Sequence, residues 1–180
     1  MSRKRIIIVV LVLLLLLLGF ILFYMAQKGS KTLSVGDMAP DFTLNDAEGR
    51  PVSLYSYTGH SAVVLYFYPK DETPGCTAQA CSFRDNYEAF KNAGAEVIGI
   101  SSDSGDSHRS FAGKHRLPFV LLSDPGGRVR KLYGVPELFF LLPGRVTFVI
   151  GKDGRILHIF NSMFRAEDHI PEALKALGAA

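Results

Sequence analysis

The chain has 180 residues, about one domain in length, with 48% hydrophobic and 21% charged residues, which excludes a disordered chain, a collagen-like repeat and a long coiled coil. Two cysteines exclude a disulfide-dense scaffold and a four-cysteine zinc site. The formal charge of +3 belongs to the N-terminus: without Arg3, Lys4 and Arg5 the remaining 17 basic residues balance 17 acidic ones, so the basic balance is no argument for nucleic-acid binding.

Ile6 to Met25 is a run of 20 residues without a charge or a proline. A helix of that length matches a hydrocarbon core of roughly 30 Å. Tyr24 sits where an interfacial aromatic belongs, and as the −3 residue of a cut after Ala26 it argues against a cleaved signal peptide. The pattern predicts an anchor over residues 1–27 that contacts membrane lipid, a polar tether over 28–34 and a main domain over 35–180. The Arg3-Lys4-Arg5 flank places the N-terminus in the cytoplasm and the main domain on the extracytoplasmic side of a single-pass membrane protein.

From Leu33 onward the apolar pattern switches period repeatedly. Phe42-Thr43-Leu44 and Val52-Ser53-Leu54 alternate around Asp46-Ala47-Glu48-Gly49 and predict a hairpin. Ala62 to Tyr68 is nearly all apolar and ends at Pro69, as in a central strand covered on both faces. Thr77 to Asn92 has helix spacing, with Phe83, Tyr87 and Phe90 on one side and Gly94 as a stop. A strand Val97–Ile100, a helix from Ser107 to His115 and a strand Phe119–Leu122 follow. Val146–Ile150 and Ile156–Phe160 flank the turn Lys152-Asp153-Gly154-Arg155, and a last helix runs from Ala166 to Leu177. A mixed sheet with helices on both faces, preceded by an N-terminal hairpin, is compatible with a thioredoxin-like α/β fold.

The chemistry concentrates between Pro69 and Cys81. Cys76 follows a buried strand and a loop and opens a helix, where the macrodipole and free backbone N–H groups favour a thiolate. Thr73 can offer a hydroxyl to the sulphur or to an oxygen substrate, and Pro69 and Pro74 stiffen the loop. Cys81 lies five residues on. An intact helix sets the pair about 140° apart with about 7.5 Å of rise, beyond the roughly 7 Å Cα limit of a disulfide. Either Cys81 is a core residue, or it bonds Cys76 only after the first helical turns unwind. The five histidines read as surface or core residues, and Tyr66, Phe67 and Tyr68 as sheet packing.

Pro69-x-x-x-Thr73-x-x-Cys76 resembles the active-site motif of peroxiredoxins, and the Cys76–Cys81 spacing is similar to that of the bacterioferritin-comigratory-protein, or peroxiredoxin Q, subfamily. Val35 to Phe42, Leu121 to Asp124 and Pro143 to Ile150 resemble further blocks of that family, so the likeness covers nearly all of Leu33 to Ala180. The resemblance implies that the Cys76 thiolate attacks a hydroperoxide and becomes a sulfenic acid. It implies that Arg145, which alone would read as a strand-edge charge, contacts the thiolate, with Pro69 and Thr73 shaping the pocket. It implies a Cys76–Cys81 disulfide reduced by thioredoxin or a similar dithiol, a monomer, and no metal, haem or flavin. The rival readings are a membrane-tethered thiol–disulfide oxidoreductase, whose usual C-x-x-C is absent, and a peroxide sensor.

Overall fold

The computed structural model describes residues 12–13, 17–20, 32–138 and 142–179. The chain divides into two compact units, Met1–Thr32 and Leu33–Ala180. In the first, residues 12–13 and 17–20 are helical. Most of the anchor expected over residues 1–27 and most of the expected tether fall outside the described residues. Among the described residues no helix is long and apolar enough to cross a membrane.

The second unit is built on a seven-stranded mixed sheet. Strands β1 (Thr43–Asp46) and β2 (Pro51–Ser53) form the N-terminal hairpin, and β8 (Val146–Ile150) and β9 (Ile156–Asn161) form another. Between them β3 (Ala62–Phe67), β4 (Ala95–Ser101) and β5 (Val120–Ser123) run parallel, in the order β2-β1-β5-β4-β3-β8-β9. All six residues of β3 are buried because β3 is central and covered on both faces, which is why its sequence does not alternate.

The two-residue period of the strands sorts their side chains into two cores. Val63, Leu65 and Phe67 join Ile98, Ile100, Phe148 and Ile150 on one face, under Val129 and Tyr133 of the short helix over Arg128–Leu132 and its C-cap. Val64, Tyr66 and Tyr68 join Val97, Leu121 and Val149 on the other. That second face is covered by α1 (Pro74–Asp85), α2 (Tyr87–Asn92), α3 (Gly105–His115) and α5 (His169–Ala176); α4 spans Arg128–Leu132. Phe83 of α1 is fully buried and stacks on Tyr66 with 4.6 Å between ring centroids. Burying such a ring contributes roughly 2–3 kcal/mol, and this fixes α1 by its C-terminal half.

The helix expected over 77–92 is two helices. At Asn86 the side-chain Nδ2 donates to the Ser82 carbonyl at 2.9 Å and the backbone N–H donates to the same oxygen at 3.2 Å. An asparagine that competes in this way for a helix carbonyl breaks the ladder. The first helix also begins earlier, at Pro74, where a proline at the first helical position costs no hydrogen bond. The last helix begins at His169 rather than Ala166. Helix α4 and the two-residue strands β6 (Glu137–Leu138) and β7 (Leu142–Pro143) are too short to leave a periodic signal.

Candidate active site

The loop between β3 and α1 is held from below by a buried polar cluster. The Tyr68 hydroxyl donates to Asp71 Oδ1 at 2.7 Å, while Asp71 Oδ2 receives the Ser107 hydroxyl at 2.7 Å and lies 2.9 Å from His108 Nδ1. The Asp71 backbone N–H donates to Asp103 Oδ2 at 2.9 Å. Burial pushes the Asp71 carboxyl up, but the hydrogen bonds from His108, Tyr68 and Ser107 outweigh it and hold the group below its ordinary value. Tyr68 is pushed well above its ordinary value by burial and by the neighbouring negative charges, so it stays a proton donor.

Beyond Asp71 the chain passes through Glu72, at φ 59°, and enters α1 with Thr73 as N-cap and Pro74 in the first turn. Cys76 therefore sits in that first turn. It is a free thiol only 2% exposed, packed with Tyr66, Tyr68 and Ala80. The Thr73 hydroxyl donates to the Lys70 carbonyl at 3.0 Å, so its proton closes the loop and its oxygen is left as an acceptor. Pro69 is half-buried at the end of β3.

Arg145 comes from the segment that enters β8, on the far side of β3 from the parallel strands. Its guanidinium is buried and fully directed. Nη2 donates to Cys76 Sγ at 3.4 Å, Nη1 donates to Gln79 Oε1, and Nε donates to the Met163 carbonyl at 3.2 Å. Two glycines make room for this. A Cβ on Gly75 would stand 3.3 Å from Arg145 Nη2, and one on Gly144 would stand 2.5 Å from the Pro136 carbonyl oxygen. His169 supports the same corner: Thr147 Oγ1 lies 2.7 Å from its Nδ1, and its Nε2–H donates to the Ser162 carbonyl at 3.0 Å, next to Met163. Burial, with the Arg145 charge adding to it, lowers His169 to about 4, so the ring is neutral.

Cys81 lies on the same intact helix, half-buried, with Sγ 3.9 Å from His115 Nδ1. The site thus brings together Cys76 and Arg145, places Thr73 one turn before the sulphur at the helix mouth, and leaves Cys81 further along α1. Gln79, the Met163 carbonyl, the Asp71–His108 cluster and His115 escaped the sequence reading. Only Gln79 carried a local signal, standing one turn after Cys76 and so on the same helix face.

Residues 35–159 match the AhpC/TSA family. The chain is 59% identical over 143 residues to the chloroplastic peroxiredoxin Q of Sedum lineare, covering 79% of this chain and 76% of that protein. It is 61% identical over 146 residues to the chloroplastic peroxiredoxin Q of Arabidopsis thaliana, covering 81% and 67%. Among solved structures it is similar to the peroxidoxin BcpB of Mycobacterium tuberculosis, with TM-score 0.76, 39% identity and coverage of 82% of this chain and 97% of that one. A cysteine variant of Xylella fastidiosa PrxQ matches with TM-score 0.72 and 31% identity, over 83% and 99% of the two chains.

These likenesses correct one expectation. The apolar N-terminus led to a single-pass membrane protein with its main domain on the extracytoplasmic side; the relatives are chloroplastic by name, and no described helix can span a bilayer. A run of 20 apolar residues satisfies the thickness of a membrane, but hydropathy carries no address, and a positive flank orients a segment only once it spans. The core fold and the peroxidase motif stand apart from that error, and on them the chain belongs to the AhpC/TSA family as a peroxiredoxin of the peroxiredoxin Q kind, an oxidoreductase that acts as a thiol-dependent peroxidase in antioxidant defence.

Proposed function

We propose that residues 35–180 reduce hydrogen peroxide and organic hydroperoxides with Cys76 as the attacking sulphur. The thiolate attacks the terminal peroxide oxygen: an S–O bond forms, the O–O bond breaks, and the departing hydroxide or alkoxide takes a proton from solvent, so the products are the Cys76 sulfenic acid and water or an alcohol. The contact between Arg145 Nη2 and Cys76 Sγ, buried and braced by Gln79 and Met163, carries this reading. A fixed guanidinium stabilises the negative charge that moves from sulphur to the departing oxygen, and it needs no reorganisation as the bond breaks. The Thr73 oxygen accepts from the peroxide O–H, and Pro69 shapes the wall. The Cys81 thiol then attacks the sulfenic sulphur, giving a Cys76–Cys81 disulfide and water. A thioredoxin-type dithiol returns both thiols by exchange. Because the two cysteines lie on one intact helix, the resolving step requires the turns between them to unwind.

Turnover of the full chain with a thioredoxin-type donor and a panel of hydroperoxides tests the reading. Mass spectrometry of the peroxide-treated protein should show a Cys76–Cys81 disulfide, and trapping with dimedone should tag Cys76. A sulfenic acid on Cys81, or peroxide consumption that survives blockage of Cys76, overturns it.

A further inference from the structure

The resolving sulphur has a neighbour that the peroxidase reading does not use. Cys81 Sγ lies 3.9 Å from His115 Nδ1, and the other ring nitrogen, Nε2, lies 3.5 Å from Glu72 Oε2. Nε2 is buried and has no hydrogen-bond partner among the described residues, and the Glu72 carboxylate faces it as an ion-pair partner. The ring is held on several sides. His115 is the last residue of α3, its ring meets Phe111 edge-on with centroids 5.0 Å apart, and its backbone carbonyl receives Arg84 Nη1 at 2.8 Å. Glu72 reaches it from the active-site loop with φ 59°, a conformation that residues other than glycine rarely hold, and is itself tied to Lys114 Nζ at 2.7 Å.

We propose that His115 is a catalytic residue of the resolving step: Nδ1 takes the Cys81 thiol proton while Glu72 keeps the ring proton on Nε2. This rests on the reading of Cys81 as the resolving thiol. The chemistry balances. The Cys81 S–H proton passes to Nδ1, the sulphur electron pair forms the bond to the Cys76 sulfenic sulphur, and the S–O bond breaks. The departing hydroxide takes that proton back from Nδ1, leaving water, a disulfide and neutral His115. The charged groups around the ring are Glu72 from the loop, Lys114 from its own helix and Arg84 from α1, whose guanidinium also faces Cys81. The buried ring of Phe83 and the Arg84 bond keep the second half of α1 on α3. Cys81 therefore stays beside His115 while the turn carrying Cys76 swings over.

The test follows sulfenic acid and disulfide against time after mixing the full chain with hydrogen peroxide, from pH 6 to 10. In His115→Gln the loss should fall on disulfide formation rather than on the oxidation of Cys76. At pH 7 it should be about tenfold or more, since a positioned general base commonly contributes about 10²–10⁴-fold. The loss should shrink toward pH 10, where solvent hydroxide can take the thiol proton in place of the ring. Glu72→Gln, at a half-exposed position that does not threaten folding, should give a smaller loss of the same pH shape. Disulfide formation at the wild-type rate in His115→Gln, or a loss equal at every pH, overturns the role of His115 and leaves Cys81 as the resolving thiol. Absence of any Cys76–Cys81 disulfide in the oxidised wild type overturns the Cys81 reading itself, and this proposal with it.

Discussion

Cys76 and Cys81 share one helix, yet their surroundings differ in kind. Cys76 is 2% exposed and touched by a guanidinium whose other nitrogens are spent on Gln79 and the Met163 carbonyl. Cys81 is half-buried, with an imidazole at 3.9 Å and the Arg84 guanidinium also facing it. The first sulphur is served by the sheet, through the segment that leads into β8; the second is served by α3 and by the loop residue Glu72. The first sulphur faces a fixed guanidinium delivered from the sheet, and the second sits on the half of α1 that Phe83 and Arg84 dock onto its neighbours.

The comparison breaks most completely if the two thiols prove interchangeable. Cys76→Ser should abolish peroxide reduction in steady-state assays, since an alkoxide is far less accessible than a thiolate at neutral pH; residual turnover carried by Cys81 would remove the distinction. Arg145→Gln should slow the oxidation of Cys76 by about 10²–10³-fold, the usual cost of one preorganised donor to developing charge. Rapid mixing with peroxide measures this, and a change under threefold would return Arg145 to the role of a buried structural charge. Cys81→Ser should leave that first oxidation intact while sustained turnover with a thioredoxin-type donor drops by roughly tenfold or more as the sulfenic acid accumulates and overoxidises. Unchanged turnover there would mean that an external thiol resolves Cys76 directly.

Gly75→Ala sharpens the contrast at the rigid end. A methyl 3.3 Å from Arg145 Nη2 forces the guanidinium aside by a few tenths of an ångström, so Cys76 oxidation should slow by about three- to tenfold with little change in Tm. A rate equal to wild type would show that the contact tolerates slack. The smallest effect is on stability. His169, lowered from 6.5 to about 4 by burial, is neutral when folded and takes up a proton when unfolded. Its contribution is therefore complete above pH 6.5, falls as pH drops through 6.5 to about 4, and is exhausted below that. At 1.36 kcal/mol per pKa unit it amounts to at most ~3 kcal/mol. Denaturant unfolding across that window should show the slope, and His169→Asn should flatten it. The loss of Asp71 lies lower, below its ordinary 3.8, because its folded value is depressed.

The elements that formed as the periodicity indicated are those decided by neighbours in sequence. The buried run of β3, the two hairpins and the presence of a helix around Cys76 were legible because strand burial and helix periodicity leave local marks, although the helix begins at Pro74. The break at Asn86 was not, since the asparagine side chain had to be seen reaching back to Ser82 rather than out to water. In the site, Cys76, Thr73 and Pro69 stand close in sequence, and Arg145 was reached through a family block rather than through any property of its own. His115 is 34 residues from Cys81 and His108 is 37 from Asp71, and nothing in either neighbourhood distinguishes them from surface histidines. The largest error came from the N-terminal apolar run, where length and hydropathy were asked to say where the protein lives.

The burial of Cys76 also decides how the protein answers chemical labelling. Hydrogen peroxide is two heavy atoms and can reach a sulphur that is 2% exposed, whereas a maleimide or an iodoacetamide carries a bulk that the closed first turn of α1 does not admit. Cys81, half-open to solvent, takes such reagents first. A thiol survey that ranks cysteines by alkylation speed will therefore nominate the wrong residue as the reactive one. The order should reverse only after peroxide has passed through and the helix has opened.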